Sequence, residues 1–183
     1  ALVELGEFGG AFQAVSQALK IDPSLAEAHN QMAEVYRNTF KYDLAISAYK
    51  KSLELCPTLY ESMLGLATVY RECENVDASL EVLNRLIALE PRHAKAYCVL
   101  GILKEQVGDT AAAVDCFKKS IELAPDVVSP LYQLSQIKGR KMSGDEILAL
   151  ERLQKVADLS PKDKSDVHFG LGEAYDQQGK TDK

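Results

Sequence analysis

The sequence predicts an all-α fold, a solenoid of antiparallel helix pairs, and three observations predict it. Pro23, Pro57, Pro91 and Pro125 are evenly spaced with a period of about 34 residues, and Pro161 follows after a slightly longer step. Twelve residues before these prolines stand Ala11, Ala45, Ser79, Ala113 and Ala149, all small. Eight residues before them stand Val15, Tyr49, Leu83, Phe117 and Leu153, all large and apolar. A fixed period of this length marks a repeat array, in which each unit is one supersecondary element that buries its apolar face against its neighbours. The small residue lets two helices approach closely, and the large one a helical turn later fills the adjoining gap.

The 183 residues divide by this ruler into a partial unit at 1–25, units at 26–59, 60–93 and 94–127, an irregular unit at 128–163 and a partial unit at 164–183. In the unit that starts at Ala26 the first helix, helix A, is predicted over Ala26 to Asn38. The second, helix B, is predicted from Asp43 to Leu55, with Asp43 as its cap. Asp77 takes that place in the next unit, and Asp109 or Thr110 in the third. Each proline closes its unit, because it cannot continue helix B and is tolerated in the turn that follows. At the N-terminus Gly6 is expected in a turn that ends a short helix A remnant, with helix B from about Gly10 to Ile21. The irregular unit carries two extra residues around Lys138-Gly-Arg-Lys-Met-Ser-Gly-Asp145, followed by a helix expected from Asp145 to Asp158. Insertions in repeat arrays map to loops, so this interval is where the array departs from pure stacking.

Composition narrows the function classes. Apolar residues make up 46% and charged residues 26%, enough apolar material for a core and no compositional case for disorder. Net charge is −6, and the basic residues are scattered apart from Lys138, Arg140 and Lys141. No stripe tracks a phosphate backbone, so nucleic acid is not an expected partner. No run approaches the 18 or so apolar residues of a membrane span, and the N-terminus has no signal-peptide pattern, so a soluble chain with no membrane partner is expected. Cys56, Cys73, Cys98 and Cys116 form no C-x-x-C pair and fall within predicted helices, which fits free thiols and a reducing, cytoplasmic setting.

Within helix A, Met32-Ala33 with Tyr36, Leu66-Ala67 with Tyr70, and Leu100-Gly101 with Lys104 give a large-small pair and, in two of three cases, an aromatic. Together with the small, large and proline positions this resembles the tetratricopeptide repeat, over essentially the whole chain. The resemblance implies a right-handed α-solenoid that works as a protein-interaction scaffold. His29, Met32, Ala33 and Tyr36 form the packing stripe of the first complete helix A. The stripe about 200° away is Glu27, Asn30, Glu34 and Arg37. The resemblance implies that this second stripe lines a concave groove for a peptide or partner segment. Its continuation is Glu61, Leu64, Thr68 and Arg71, then Lys95, Cys98, Ile102 and Glu105, then Ser129, Tyr132, Gln136 and Arg140. Such a groove is polar and mixed in charge, with an apolar patch around Leu64, Cys98 and Ile102.

Co-chaperone members of this family clamp a terminal carboxylate with Lys, Asn and Arg on successive groove helices. Glu34 and Glu61 would repel one, and Asn30 does not recur as an asparagine ladder. His29, His93 and His168 lie far apart, two of them expected on packing stripes, so no metal site is expected. No phosphate-binding glycine loop, nucleophile elbow or zinc spacing is present, and acidic pairs such as Glu72 and Glu74 read as a solvated edge, so neither catalysis nor a cofactor is expected within the chain. From about Leu131 onward the chain is also similar to the repeat arm of bacterial sulfotransferases, through Leu159-Ser-Pro-Lys-Asp163 and His168-Phe-Gly-Leu-Gly-Glu-Ala-Tyr-Asp176 with Gly179. That likeness implies a substrate-recruiting or dimerising arm of an enzyme that uses phosphoadenosine phosphosulfate, whose donor-binding domain is not in this chain. The helix ends expected at Ala1 and Lys183 leave apolar faces for self-association.

Overall fold

The computed structural model describes residues 2–177, with side chains from Gly9 onward. Among the described residues the chain is all-α: α1 Leu2–Ile21, α2 Ala26–Asn38, α3 Tyr42–Leu55, α4 Tyr60–Glu72, α5 Val76–Leu89, α6 Ala94–Gln106, α7 Thr110–Leu123, α8 Val128–Gln136, α9 Gly144–Gln154 and α10 Pro161–Asp176. Two compact units form, residues 1–91 with α1 to α5 and residues 92–183 with α6 to α10.

In the first unit α2 pairs with α3 and α4 with α5, while α3 also packs on α4. The short connections within each pair force the helices to run antiparallel. These connections share one backbone device. Phe40 and Glu74 adopt positive φ, both 58°. The amides beyond them, Lys41 and Asn75, reach back to Tyr36 and Tyr70 at 2.9 and 2.8 Å. This left-handed cap satisfies carbonyls that the helix end orphans. Gly108 repeats it in the second unit, with φ 83° and the Asp109 amide on the Lys104 carbonyl.

Because that turn has a fixed length, it also fixes which residue precedes each helix B. Those positions are Lys41, Asn75 and Asp109. Asn75 and Asp109 accept from the amides of Ala78 and Ala112, whereas Lys41 has no side-chain acceptor to offer. Asp43 and Asp77 are therefore not caps; each lies inside the first helical turn, where its charge complements the helix dipole.

The small-large pattern lies in the cores. Ala45 with Tyr49 and Ser79 with Leu83 are fully buried in the first unit, as are Ala113 with Phe117 in the second. Ala11 is exposed and Ala149 half-buried. Residue Gly6 is helical, since α1 is one helix through residues 2–21 and not a remnant, a turn and a helix. The few described residues before Gly6 make about one helical turn, too short to stand alone, and continuing the ladder satisfies their backbone. Leu2 and Gly6 lie where side chains are not described, and the expected turn at Gly179 and the ends at Ala1 and Lys183 fall outside the described residues.

In the second unit α6 pairs with α7, and α8 breaks the pattern. It spans nine residues, and its main neighbour is α10. Residues 137–143 bury Met142 beside Leu131, Ile147 and Leu150. Helix α9 starts at Gly144 under a Ser143–Glu146 capping box and ends at Gln154, short of the expected Asp158. Leu153 is its last buried residue, and 154–158 are all exposed, so no apolar burial carries the helix further. Pro161 differs from the other prolines. It opens α10 at the first turn, behind the Ser160 cap, and does not end a helix B.

Candidate functional site

In the first unit α2 and α4 sit side by side, and an open pocket of about 340 Å³ lies on them, lined by Asn30, Glu34, Arg37, Glu61, Leu64, Gly65 and Thr68. Asn30, Glu34 and Arg37 come from the second stripe of α2, and Leu64 and Thr68 from that of α4. Helical spacing alone aligns them, because residues three and four apart share a face.

The pocket floor depends on a size exchange. Tyr49 is fully buried in α3, yet its hydroxyl donates to Glu34 Oε1 at the pocket. It passes beside Gly65, where a Cβ would stand 2.5 Å from the hydroxyl oxygen and closer still to the ring. Only glycine leaves room for this path. Burial, and then the Glu34 carboxylate, push Tyr49 ionisation far above the ordinary tyrosine range, so it is a fixed donor.

Glu34 Oε2 takes the Arg37 guanidinium at 2.8 Å, and the other end of Arg37 reaches Glu72 at 3.5 Å. Burial works against the Arg37 charge, but Glu34 outweighs it and, with Glu72, holds its proton more firmly than usual. Arg71 lies a turn beyond Thr68, 3.8 Å from Glu72, with its Nε buried and without a partner. Thr68 donates to the Leu64 carbonyl at 2.8 Å. Below Asn30 runs a buried polar chain: Asn30 Oδ1 is 2.9 Å from Ser62 Oγ, Ser62 Oγ is 2.7 Å from Ser52 Oγ, and Ser52 donates to the Ala26 carbonyl.

In the second unit the predicted residues do not line one pocket. Cys98 is buried, with its thiol 3.5 Å from Ser129 Oγ, and Ile102 packs on the cluster of Cys98, Ala113, Phe117 and Leu134. Both are core-facing more than groove-facing. Tyr132 is half-buried and Gln136 exposed, with the Gln136 amide 3.2 Å from Ser135 Oγ. Arg140 lies beyond the end of α8, in the loop, and pairs with Glu146 at 2.5 Å. With Lys138 it lines a hollow of about 610 Å³ against Thr110, Ala111 and Val114 at the start of α7.

Volume alone does not identify a site. A hollow of about 560 Å³ over α2 and α3 is lined by Leu19, Met32 and Leu44, with Lys51 already paired to Glu54. That hollow also carries Lys50 and Glu54; the α2–α4 pocket is smaller and differs in being lined by the second stripe of two A helices. His29 bonds the Pro23 carbonyl at 2.9 Å, His93 caps α6, and His168 is exposed rather than on a packing stripe. Among the described residues no three ligating side chains come together, and no helix is long and apolar enough to cross a membrane. Sequence reasoning missed the Tyr49–Gly65 exchange and the serine chain. A signal existed for the first, since tyrosine is the bulkiest residue at its register position and Gly65 stands in the helix A that follows.

Comparison with known proteins matches residues 26–59 and 94–127 to models of the tetratricopeptide repeat. Tetratricopeptide repeat protein 36 homolog of Nematostella vectensis is 36% identical over 69 residues, which are 38% of this chain and 37% of that protein. The match thus spans little more than a third of that relative. Among solved structures, a thermophilic TPR protein of Thermus thermophilus has a TM-score of 0.76 at 21% identity, covering 93% of both chains. PilF of Pseudomonas aeruginosa gives 0.66 at 20%, covering 97% of this chain and 91% of that one. MamA of Desulfovibrio magneticus RS-1 gives 0.63 at 16%, covering 99% and 91%. At these identities the structures share the fold.

Proposed function

Since this chain carries tetratricopeptide repeats, we propose that it is a protein-interaction scaffold that receives an extended peptide or partner segment along the second stripe of its A helices. The carrying observation is the α2–α4 pocket, where Asn30, Glu34, Arg37, Leu64 and Thr68 converge. Several side chains of different chemistry on two rigid helices suit recognition of a segment better than of one small molecule. On this reading Arg71 belongs to the same surface of the first unit, while in the second unit Tyr132, Gln136 and Arg140 are the positions left for contact, Cys98 and Ile102 being turned toward the core. Selecting extended peptides on the immobilised chain and repeating the measurement with an Arg37→Ala, Arg71→Ala variant tests it. Altered binding with unchanged helical content supports the assignment; unchanged binding overturns it.

A second reading makes the chain the recruiting or dimerising arm of a sulfotransferase. It is favoured by α10, the helix that carries the resembling segment, where Phe169 is 65% exposed and lines a shallow pocket with His168, Gly172 and Glu173. An outward aromatic there suits a helix that leads into further structure. Assaying the product of the complete gene for sulfate transfer from phosphoadenosine phosphosulfate decides it, and no transfer rejects it.

A further inference from the structure

We infer that the α2–α4 pocket takes the ammonium of a lysine side chain, with the lysine stem lying over Leu64 and Gly65. The inference rests on the groove reading above and adds the chemistry of the anchor.

Counting protons leads there. Ser52 and Ser62 supply two hydroxyl protons for three close contacts: Ser52 to the Ala26 carbonyl at 2.8 Å, Ser52 to Ser62 at 2.7 Å, and Ser62 to the Asn30 amide at 2.9 Å. The Ala26 contact needs the Ser52 proton, because a carbonyl can only accept. Ser120 makes the same bond to the Ala94 carbonyl at the equivalent position two repeats on. The Ser62 proton must then fill the serine–serine contact, or two oxygens would meet with no proton between them. The structure places Asn30 Oδ1 at the third contact, but with both hydroxyl protons spent that contact must take its proton from Asn30, which turns the amide over. Its NH2 group donates to Ser62, and which end of an amide faces a neighbour is read from such a network. This orientation leaves the Asn30 carbonyl oxygen unused by the serine chain.

Apart from Arg37, which Glu34 and Glu72 engage, the polar lining offers acceptors as well. The Thr68 proton is spent on the Leu64 carbonyl, so its oxygen is left with lone pairs only. Glu61 is exposed and brings a carboxylate to the mouth. The Arg37 charge is held between Glu34 and Glu72, and Arg71 lies against Glu72 as well. Glu34, Glu61 and Glu72 against Arg37 and Arg71 leave one negative charge. The acceptors Asn30 Oδ1, Thr68 Oγ1 and the Glu61 carboxylate thus surround a mouth floored by Leu64 and Gly65. An ammonium carries three donors and no acceptor, and its aliphatic stem covers apolar surface while the charge stays near water. A carboxylate or phosphate would meet acceptors and a net negative charge.

The test uses the isotope-labelled chain and four capped pentapeptides, alanines with lysine, acetyl-lysine, norleucine or glutamate at the centre, titrated by NMR. The lysine peptide is expected to shift the Gly65 and Thr68 backbone amides and the Asn30 side-chain amide. The acetyl-lysine and norleucine peptides are expected to bind about tenfold more weakly, the loss of one charge-assisted hydrogen bond. Glu61→Gln, at an exposed position, should weaken the lysine peptide several-fold and leave the norleucine peptide unchanged. Equal shifts from lysine and norleucine, or stronger ones from glutamate, overturn the ammonium assignment and leave the groove reading standing. No shift in α2 or α4 from any of the four also overturns it, and the peptide selection with the arginine variant then judges the groove reading separately.

Discussion

Gly65→Ala tests whether a core exchange shapes the pocket floor. The added Cβ would stand 2.5 Å from the Tyr49 hydroxyl oxygen and closer to ring atoms Cε1 and Cζ, against ordinary contacts of roughly 3.5–4.0 Å. The ring must move by about an ångström, and it has no free direction, because Tyr49 is fully buried among Ala33, Ala45, Leu66 and Val69. Overpacking of this kind costs about 1–3 kcal/mol. Displacing the ring also strains its bond to Glu34, and a hydrogen bond to a charged group is worth about 1.5–3 kcal/mol. Alanine returns about 1 kcal/mol through helix propensity. The expected net loss is about 2–4 kcal/mol, read as a lower urea midpoint at unchanged slope. In a Tyr49→Leu background, which removes the ring and its hydroxyl, the same substitution should cost less than about 1 kcal/mol, a coupling within the range seen for touching residues. Gly65→Ala at or above parental stability, or the same cost in both backgrounds, refutes the reasoning.

Other substitutions probe separate parts of the chain. Gly10→Ala lies in α1 with nothing near its added Cβ, and should stabilise by up to about 1 kcal/mol in the same urea experiment, the opposite sign to Gly65→Ala. Glu74→Gly relieves a left-handed residue where the register has Gly108 in the next turn, and should raise stability by about 1 kcal/mol; an unchanged melting temperature counts against strain at that cap. Tyr49 links stability to alkaline pH. Its folded pKa is raised above 10.0, so its contribution is intact below the unfolded value and declines as pH rises past it. From about pH 10 upward stability should fall by about 1.4 kcal/mol per pH unit more in the parent than in Tyr49→Phe, and parallel pH profiles would refute the raised pKa. Arg140→Met leaves the mostly buried Glu146 unpaired and should destabilise the second unit by on the order of 3 kcal/mol, checked by thermal melting, with Arg140→Lys recovering part of it.

The ruler of prolines made the helix pairs legible because spacing is a one-dimensional property. Helix α2 occupies the predicted Ala26 to Asn38, and the small and large residues at fixed offsets fill the cores at Ala45–Tyr49 and Ala113–Phe117. Where the spacing slipped, sequence reasoning slipped with it. Pro161 opens a helix, and Arg140, counted onto a helical stripe, sits in a loop, since α8 stops at Gln136. Caps were misplaced at Asp43 and Asp77 because a turn's backbone geometry, not residue type, sets where a helix begins.

The sequence by itself determined the helical class, the period, and which residues share a helix face, since periodicity and helical geometry are properties of the chain alone. Only the tertiary structure decided that Tyr49 passes Gly65 to reach Glu34, that Ser52 and Ser62 tie Asn30 to the backbone, and that Cys98 and Ile102 turn toward a core. Those outcomes depend on which side chains from different helices compete for the same volume and the same protons, and that competition exists only after the helices have packed.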